Sequence, residues 1–80
     1  MDNKTKVRVF KVLKKVTGRE IDSIDLEGDL KSQLKLDSIQ IVELFAGLEK
    51  EFDIELPLSM MTVRNGNTFF RLLEEVLNKQ

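Results

Sequence analysis

Apolar residues recur at three- and four-residue spacing in three stretches of the chain, a period that predicts amphipathic helices. In the first, about Lys4 to Val16, Val9, Val12, Leu13 and Val16 make one stripe with Phe10 alongside. Lys6, Lys11, Lys14 and Lys15 mostly fall off that stripe. Gly18 is placed to cap this helix, since it takes the left-handed conformation without a side-chain clash. The second stretch, Ser38 to Phe52, aligns Ile41, Leu44, Phe45, Leu48 and Phe52, broadened by Val42, and turns Gln40, Glu43, Lys50 and Glu51 toward water. Asp37 precedes it as a capping residue, and Gln40, three residues on, fits a reciprocal capping box. The last stretch, Thr68 to Asn78, buries Phe69, Leu72, Leu73, Val76 and Leu77.

The intervening segments lack that period. Arg19 to Leu36 is a long, partly ordered connection that Ile21, Ile24, Leu26, Leu30 and Leu34 pin across the core. A loop of such length in a small domain has a functional or architectural reason. Ser23 to Gly28 loosely resembles the start of a calcium loop, but Leu34 stands where a bidentate Glu is needed, which disfavours calcium. Pro57 blocks continuation of the second helix and opens a short third one through Leu58, Met60, Met61 and Val63. Arg64-Asn65-Gly66-Asn67 is a turn signal. There is no strand-like alternation and no internal repeat. The predicted fold is all-α: a small four-helix bundle with a short third helix and a long loop between helices 1 and 2.

Composition narrows the chemistry. Eighty residues, 41% of them hydrophobic, make one domain spanning residues 1–80, near the lower size limit for a self-sufficient core. The sequence has neither Cys nor His, so it holds no disulfide framework, no Ser-His or Cys-His nucleophile pair and no typical zinc site. No phosphate-cradling glycine loop is present. Self-contained catalysis is not expected. No apolar run approaches the roughly 18–20 residues that span a bilayer, and Met1-Asp2-Asn3-Lys4 does not open a secretory signal. A cytoplasmic protein without membrane insertion is expected.

The net charge of −1 hides a segregation. Met1 to Glu20 carries seven basic and two acidic residues; Ile21 to Pro57 carries ten acidic and three basic. The acidic middle favours a basic partner surface. A lysine-studded first helix with a lone Phe and no Tyr or Trp is a solvated face and not a nucleic-acid reader.

Candidate chemistry centres on Leu36-Asp37-Ser38-Ile39-Gln40-Ile41-Val42-Glu43-Leu44. A Ser at a helix N-terminus projects its hydroxyl outward, and a phosphate placed there faces unpaired backbone donors and the positive end of the helix dipole. This run resembles the phosphopantetheine attachment motif of the acyl carrier protein family. The resemblance continues through Leu48-Glu49-Lys50-Glu51-Phe52-Asp53-Ile54-Glu55-Leu56-Pro57. It implies 4′-phosphopantetheine, donated by coenzyme A through a phosphopantetheinyl transferase, on Ser38. Asp37 would then both cap the helix and help the transferase and its metal orient Ser38. The resemblance further implies acyl or aminoacyl cargo, carried as a thioester and loaded by a ligase, synthase or transferase in fatty-acid, polyketide or related biosynthesis. Partner contacts carried over by position are Ile39, Glu43, Glu49 and Glu51, with Met60 from the apolar third helix.

Several positions depart from the family pattern. Lys35 replaces the Gly three residues before the modified Ser, Lys50 stands where an acid is usual, and Leu58-Ser59-Met60-Met61 replaces the acids that housekeeping carriers cluster there. A specialised carrier is therefore expected, stand-alone because the chain opens at Met1 and closes soon after the last helix, and monomeric because Ser38 must stay exposed. Phe45, Leu48, Met61 and Val63 are the candidates to line a space sheltering an acyl chain. At least one of Met60 and Met61 is expected in the core. The competing class is an unmodified interaction module that uses the acidic second helix and the Leu58–Val63 patch.

Overall fold

A computed structural model describes residues 1–79. Helix α1 spans Asn3–Thr17, α2 Leu30–Gln33, α3 Ser38–Phe52 and α4 Gly66–Asn78, with a 3₁₀ helix at Leu58–Thr62 before α4. The predicted second helix is thus α3, with the predicted bounds. The predicted loop is not loop throughout, because Asp29 caps the short helix α2 by accepting from the Ser32 N–H at 2.9 Å. Among the described residues there is no strand, only an isolated antiparallel bridge between Asp29 and Asn65.

Local chemistry sets each helix boundary. Asp2 accepts from the Thr5 N–H at 2.7 Å, so α1 begins at Asn3, one residue before the predicted Lys4. It ends at Gly18, whose φ of 70° lets its N–H return to the Lys14 carbonyl. Pro57 sits just outside the 3₁₀ helix as its flanking residue and not within its first turn. Helix α4 begins two residues before the predicted Thr68, because Asn65 acts as its cap, accepting from the Thr68 N–H at 3.1 Å. A Cβ on Gly66 would lie 2.8 Å from the backbone of Leu26, so only glycine allows the early loop to cross this helix entrance. That crossing is hydrogen-bonded: Asn67 N–H donates to Leu26 at 2.7 Å and Leu30 N–H to Arg64 at 2.7 Å.

The core joins all the elements. Val9, Val12 and Leu13 of α1 pack with Ile41, Leu44, Phe45 and Leu48 of α3, and with Phe69 and Leu73 of α4. Leu30, Leu34, Leu36, Ile54, Leu56 and Met60 from the connecting segments complete it. Phe45 and Phe69 meet edge to face, 5.9 Å between centroids, a geometry aromatic pairs prefer. Helices α1 and α3 approach closely because Gly47 has no Cβ to strike Val12. Arg8 clamps the same pair: it donates to the Glu51 carboxylate at 2.8 Å and lies over the Phe52 ring at 4.4 Å. No helix among the described residues is long and apolar enough to cross a membrane.

Candidate functional site

The α2–α3 junction aims one hydroxyl at solvent. Helix α2 ends in a Schellman turn, with Leu36 N–H donating to the Lys31 carbonyl at 3.0 Å and Lys35 N–H to Ser32 at 3.2 Å. Leu36 then drops into the core, which anchors the chain one residue before Asp37. Asp37 is extended and starts α3: its carboxylate accepts from the Gln40 N–H at 2.8 Å, and the Gln40 side chain accepts from the Asp37 N–H at 3.1 Å. The predicted capping box is formed. Gln40 also reaches the Val16 carbonyl of α1, at a long 3.5 Å. Ser38 is the first helical residue and is exposed, as are Asp37 and Ile39.

Three large apolar side chains stand exposed on α3 and the 3₁₀ helix. Ile39 is 71% exposed, Val42 56% and Leu58 81%. Val42 was assigned to the buried stripe by its spacing, but it lies outside the core and joins Ile39, three residues away, on the outer face of α3. Sequence spacing missed this because Val42 is one residue from Ile41, where an apolar side chain fits either face.

The predicted partner residues fall in three environments. Glu43 is exposed and enters no ion pair among the described residues. Glu49 is half-buried and accepts from the Leu56 N–H at 2.8 Å, tying the return segment to α3. Glu51 is held by Arg8 and, at 3.5 Å, by Lys11. The Arg8 hydrogen bond, with help from Lys11, keeps its carboxyl below the ordinary glutamate value. Met60 requires a correction: at 1% exposure it is a core side chain, leaving Leu58 as the outward member of the 3₁₀ helix. The 3₁₀ turn sends Leu58 to water and Met60 inward, a division that the one-dimensional Leu58–Met61 run does not reveal.

The interior beneath Ser38 has little space. A cavity lined by Leu36, Ile41, Phe45, Met61 and Val63 among others holds about 20 Å³, close to the room one water needs. Leu48, expected among its walls, is instead wholly buried in the core. A larger cleft of about 400 Å³ lies between α1, the long loop and α4, bordered by Phe10, Ile24 and Phe70. No residue of α3 lines it, so it is not part of the Ser38 site.

A four-helix scaffold that caps one exposed serine at the head of its central helix has the architecture of a carrier domain. The family described as "Phosphopantetheine attachment site" matches residues 7–68, and the chain belongs to that family. Carrier function and the phosphopantetheine cofactor follow from this membership. The chain is 33% identical over 75 residues to the D-alanyl carrier protein of Lactococcus lactis subsp. lactis (strain IL1403), covering 94% of this chain and 95% of that relative. It is 36% identical over 56 residues to the acyl carrier protein of Trieres chinensis, covering 70% of each. The acyl carrier protein of Buchnera aphidicola subsp. Schizaphis graminum (strain Sg) is 29% identical over 77 residues, 96% of this chain and 95% of the relative. No solved structure gives a significant match.

Proposed function

We propose that this carrier takes 4′-phosphopantetheine on Ser38 and transports a small, aminoacyl-sized group as a thioester. The observation that carries the proposal is Ser38 itself: exposed, first in α3, and set behind an intact Asp37–Gln40 capping box within the family-matched segment. The attachment balances simply. Ser38 Oγ bonds to the phosphorus that bears pantetheine, the pyrophosphate P–O bond of coenzyme A breaks, adenosine 3′,5′-bisphosphate leaves, and the serine proton is released. The arm supplies the thiol that this Cys-free chain lacks. Asp37 and Gln40 hold the helix entrance in place, and Leu36 beneath them fixes its direction. No catalytic role is assigned to the chain.

Two observations favour small cargo. The D-alanyl carrier relatives are 33% and 32% identical over nearly the whole chain, against 29% for the acyl carrier protein that spans as much, and the cavity beneath Ser38 has no room for an extended acyl chain. An adenylating ligase acting on an amino acid such as D-alanine is the loading partner we infer, with a phosphopantetheinyl transferase acting first. Ile39, Val42 and Leu58 make the apolar part of the docking face, and Glu43 its acidic part. This combination fits a partner patch that is mostly apolar with an isolated cation.

Intact mass spectrometry after incubation with coenzyme A and a broad-specificity transferase tests the proposal. The wild type gains one phosphopantetheine and Ser38→Ala gains none while remaining folded. A wild type that stays at its unmodified mass, beside a control carrier that is modified, would overturn the proposal in favour of an unmodified interaction module.

A further inference from the structure

Two non-glycine residues adopt a left-handed backbone among the described residues, Lys35 with φ 54° and Asp53 with φ 53°. Asp53 is readily understood. It closes α3, and a short polar side chain tolerates this conformation through local hydrogen bonding. Lys35 has no such relief. It occupies the position of the Schellman turn where glycine is the usual residue, and its Cβ is strained there whatever the surrounding space. Strain of this kind persists where the surrounding structure enforces it, and it concentrates at functional sites.

The Lys35 side chain serves no visible structural purpose. It is exposed and takes part in no ion pair among the described residues. Its position is nonetheless unusual in charge. Between Ile21 and Pro57 only Lys31, Lys35 and Lys50 are basic, against ten acids, and two of these three flank the turn that leads into Ser38. A third cation reaches the same turn from α1's end: the Arg19 guanidinium donates to the Leu34 carbonyl, one residue before Lys35. The nearest acid, Asp37, already accepts from the Gln40 N–H.

We propose that Lys35, with Arg19 behind it, forms an anion subsite for the phosphodiester that joins the arm to Ser38. This inference rests on the assignment of Ser38 as the attachment residue. A phosphodiester retains one negative charge at neutral pH, and its free oxygens accept charge-assisted hydrogen bonds from an ammonium group. Lys35, three residues before Ser38, holds the root of the arm against the α2–α3 turn. The remainder of the arm stays free to swing. Lys35 is thus a positioning residue.

The test compares unmodified and phosphopantetheinylated forms of wild type, Lys35→Gln, Lys35→Arg and Lys35→Gly, with complete modification verified by mass. The readout is the shift in melting midpoint caused by modification, at low and high salt. Modification raises the midpoint by a few degrees more in wild type and Lys35→Arg than in Lys35→Gln. That excess shrinks at high salt, as a partly exposed ionic contact must. Lys35→Gln leaves the unmodified midpoint near wild type, since the strain is kept. Lys35→Gly raises it, since the strain is relieved, and still lacks the excess on modification. Equal shifts in wild type and Lys35→Gln overturn the phosphate subsite while leaving Ser38 intact as attachment site. A wild type that accepts no arm at all overturns both.

Discussion

Asp37 sets where α3 begins. Its carboxylate occupies the free donor at Gln40 and so begins α3 one residue ahead of Ser38. Removing it in Asp37→Ala is expected to cost about 1 kcal/mol of stability, or roughly 4–8 °C in melting midpoint for a domain of this size. Asp37→Asn keeps an accepting oxygen and should melt close to wild type. If the transferase and its metal also read the carboxylate, Asp37→Asn loses modification rate without losing stability, a separation that kinetics beside a melting curve will show. The serine and its cap were legible in the sequence because capping depends on neighbours three residues apart. The fates of Glu49 and Glu51 were not legible, since their partners, Leu56 and Arg8, are brought to them by the return segment and by α1.

At the scale of elements, the α1–α3 and loop–α4 contacts keep α3 in position. Gly66 admits the early loop against the head of α4, and a methyl group there would meet backbone at 2.8 Å. Backbone cannot yield as a flexible side-chain tip can, so Gly66→Ala should cost about 1–3 kcal/mol in urea unfolding. Gly47→Ala presses on one methyl group of Val12 and should cost less, though Val is stiff at χ1. The Arg8–Glu51 clamp adds a pH dependence. Because the folded carboxyl titrates below its ordinary value of 4.5, the clamp's contribution is complete above that value and is lost as pH falls through and beneath it. Asp2, lowered from 3.8 mainly by the Thr5 N–H, acts in the same sense at the head of α1. Glu51→Gln should therefore flatten the acid limb of a melting-midpoint profile, and an unchanged limb would assign that limb to other carboxylates.

For the whole molecule, charge and cavity point the same way about cargo. The acids of the middle segment are partly consumed within the fold, by Arg8 and Lys11 at Glu51 and by backbone at Glu49. Outward on α3 and the 3₁₀ helix stand Ile39, Val42 and Leu58, with Glu43 exposed and unpaired among the described residues. Encounter with the loading enzyme should then depend weakly on salt, while Leu58→Asp or Val42→Asp should slow loading with little effect on folding. The core beneath Ser38 is filled by Leu36, Ile41, Phe45 and their neighbours, leaving about 20 Å³. A thioester on an arm at Ser38 is therefore expected to stay in solvent. Acetyl and octanoyl forms of the modified carrier are expected to react with hydroxylamine at the same rate, whereas a slower octanoyl form would reveal shelter that this packing lacks.

The sequence by itself determined the three long helices, their caps at Asp37 and Gly18, and the serine at the head of α3. Each rests on interactions within three to five residues of the chain, which periodicity and capping chemistry record directly. Family membership was legible for the same reason, through the runs Leu36 to Leu44 and Leu48 to Pro57. Only the tertiary structure decided which apolar side chains face water. Met60 turned inward and Leu58 outward because residues two apart lie on different sides of a helical turn, and packing against the core decides which side is covered. Val42 stayed outside because no second element among the described residues covers that side of α3. The strained backbone at Lys35 was likewise out of reach: the sequence shows a lysine in place of a glycine, but the turn's hydrogen bonds force it left-handed. Contacts between residues distant in the chain decide burial, and burial decides which parts of the motif remain available to a partner.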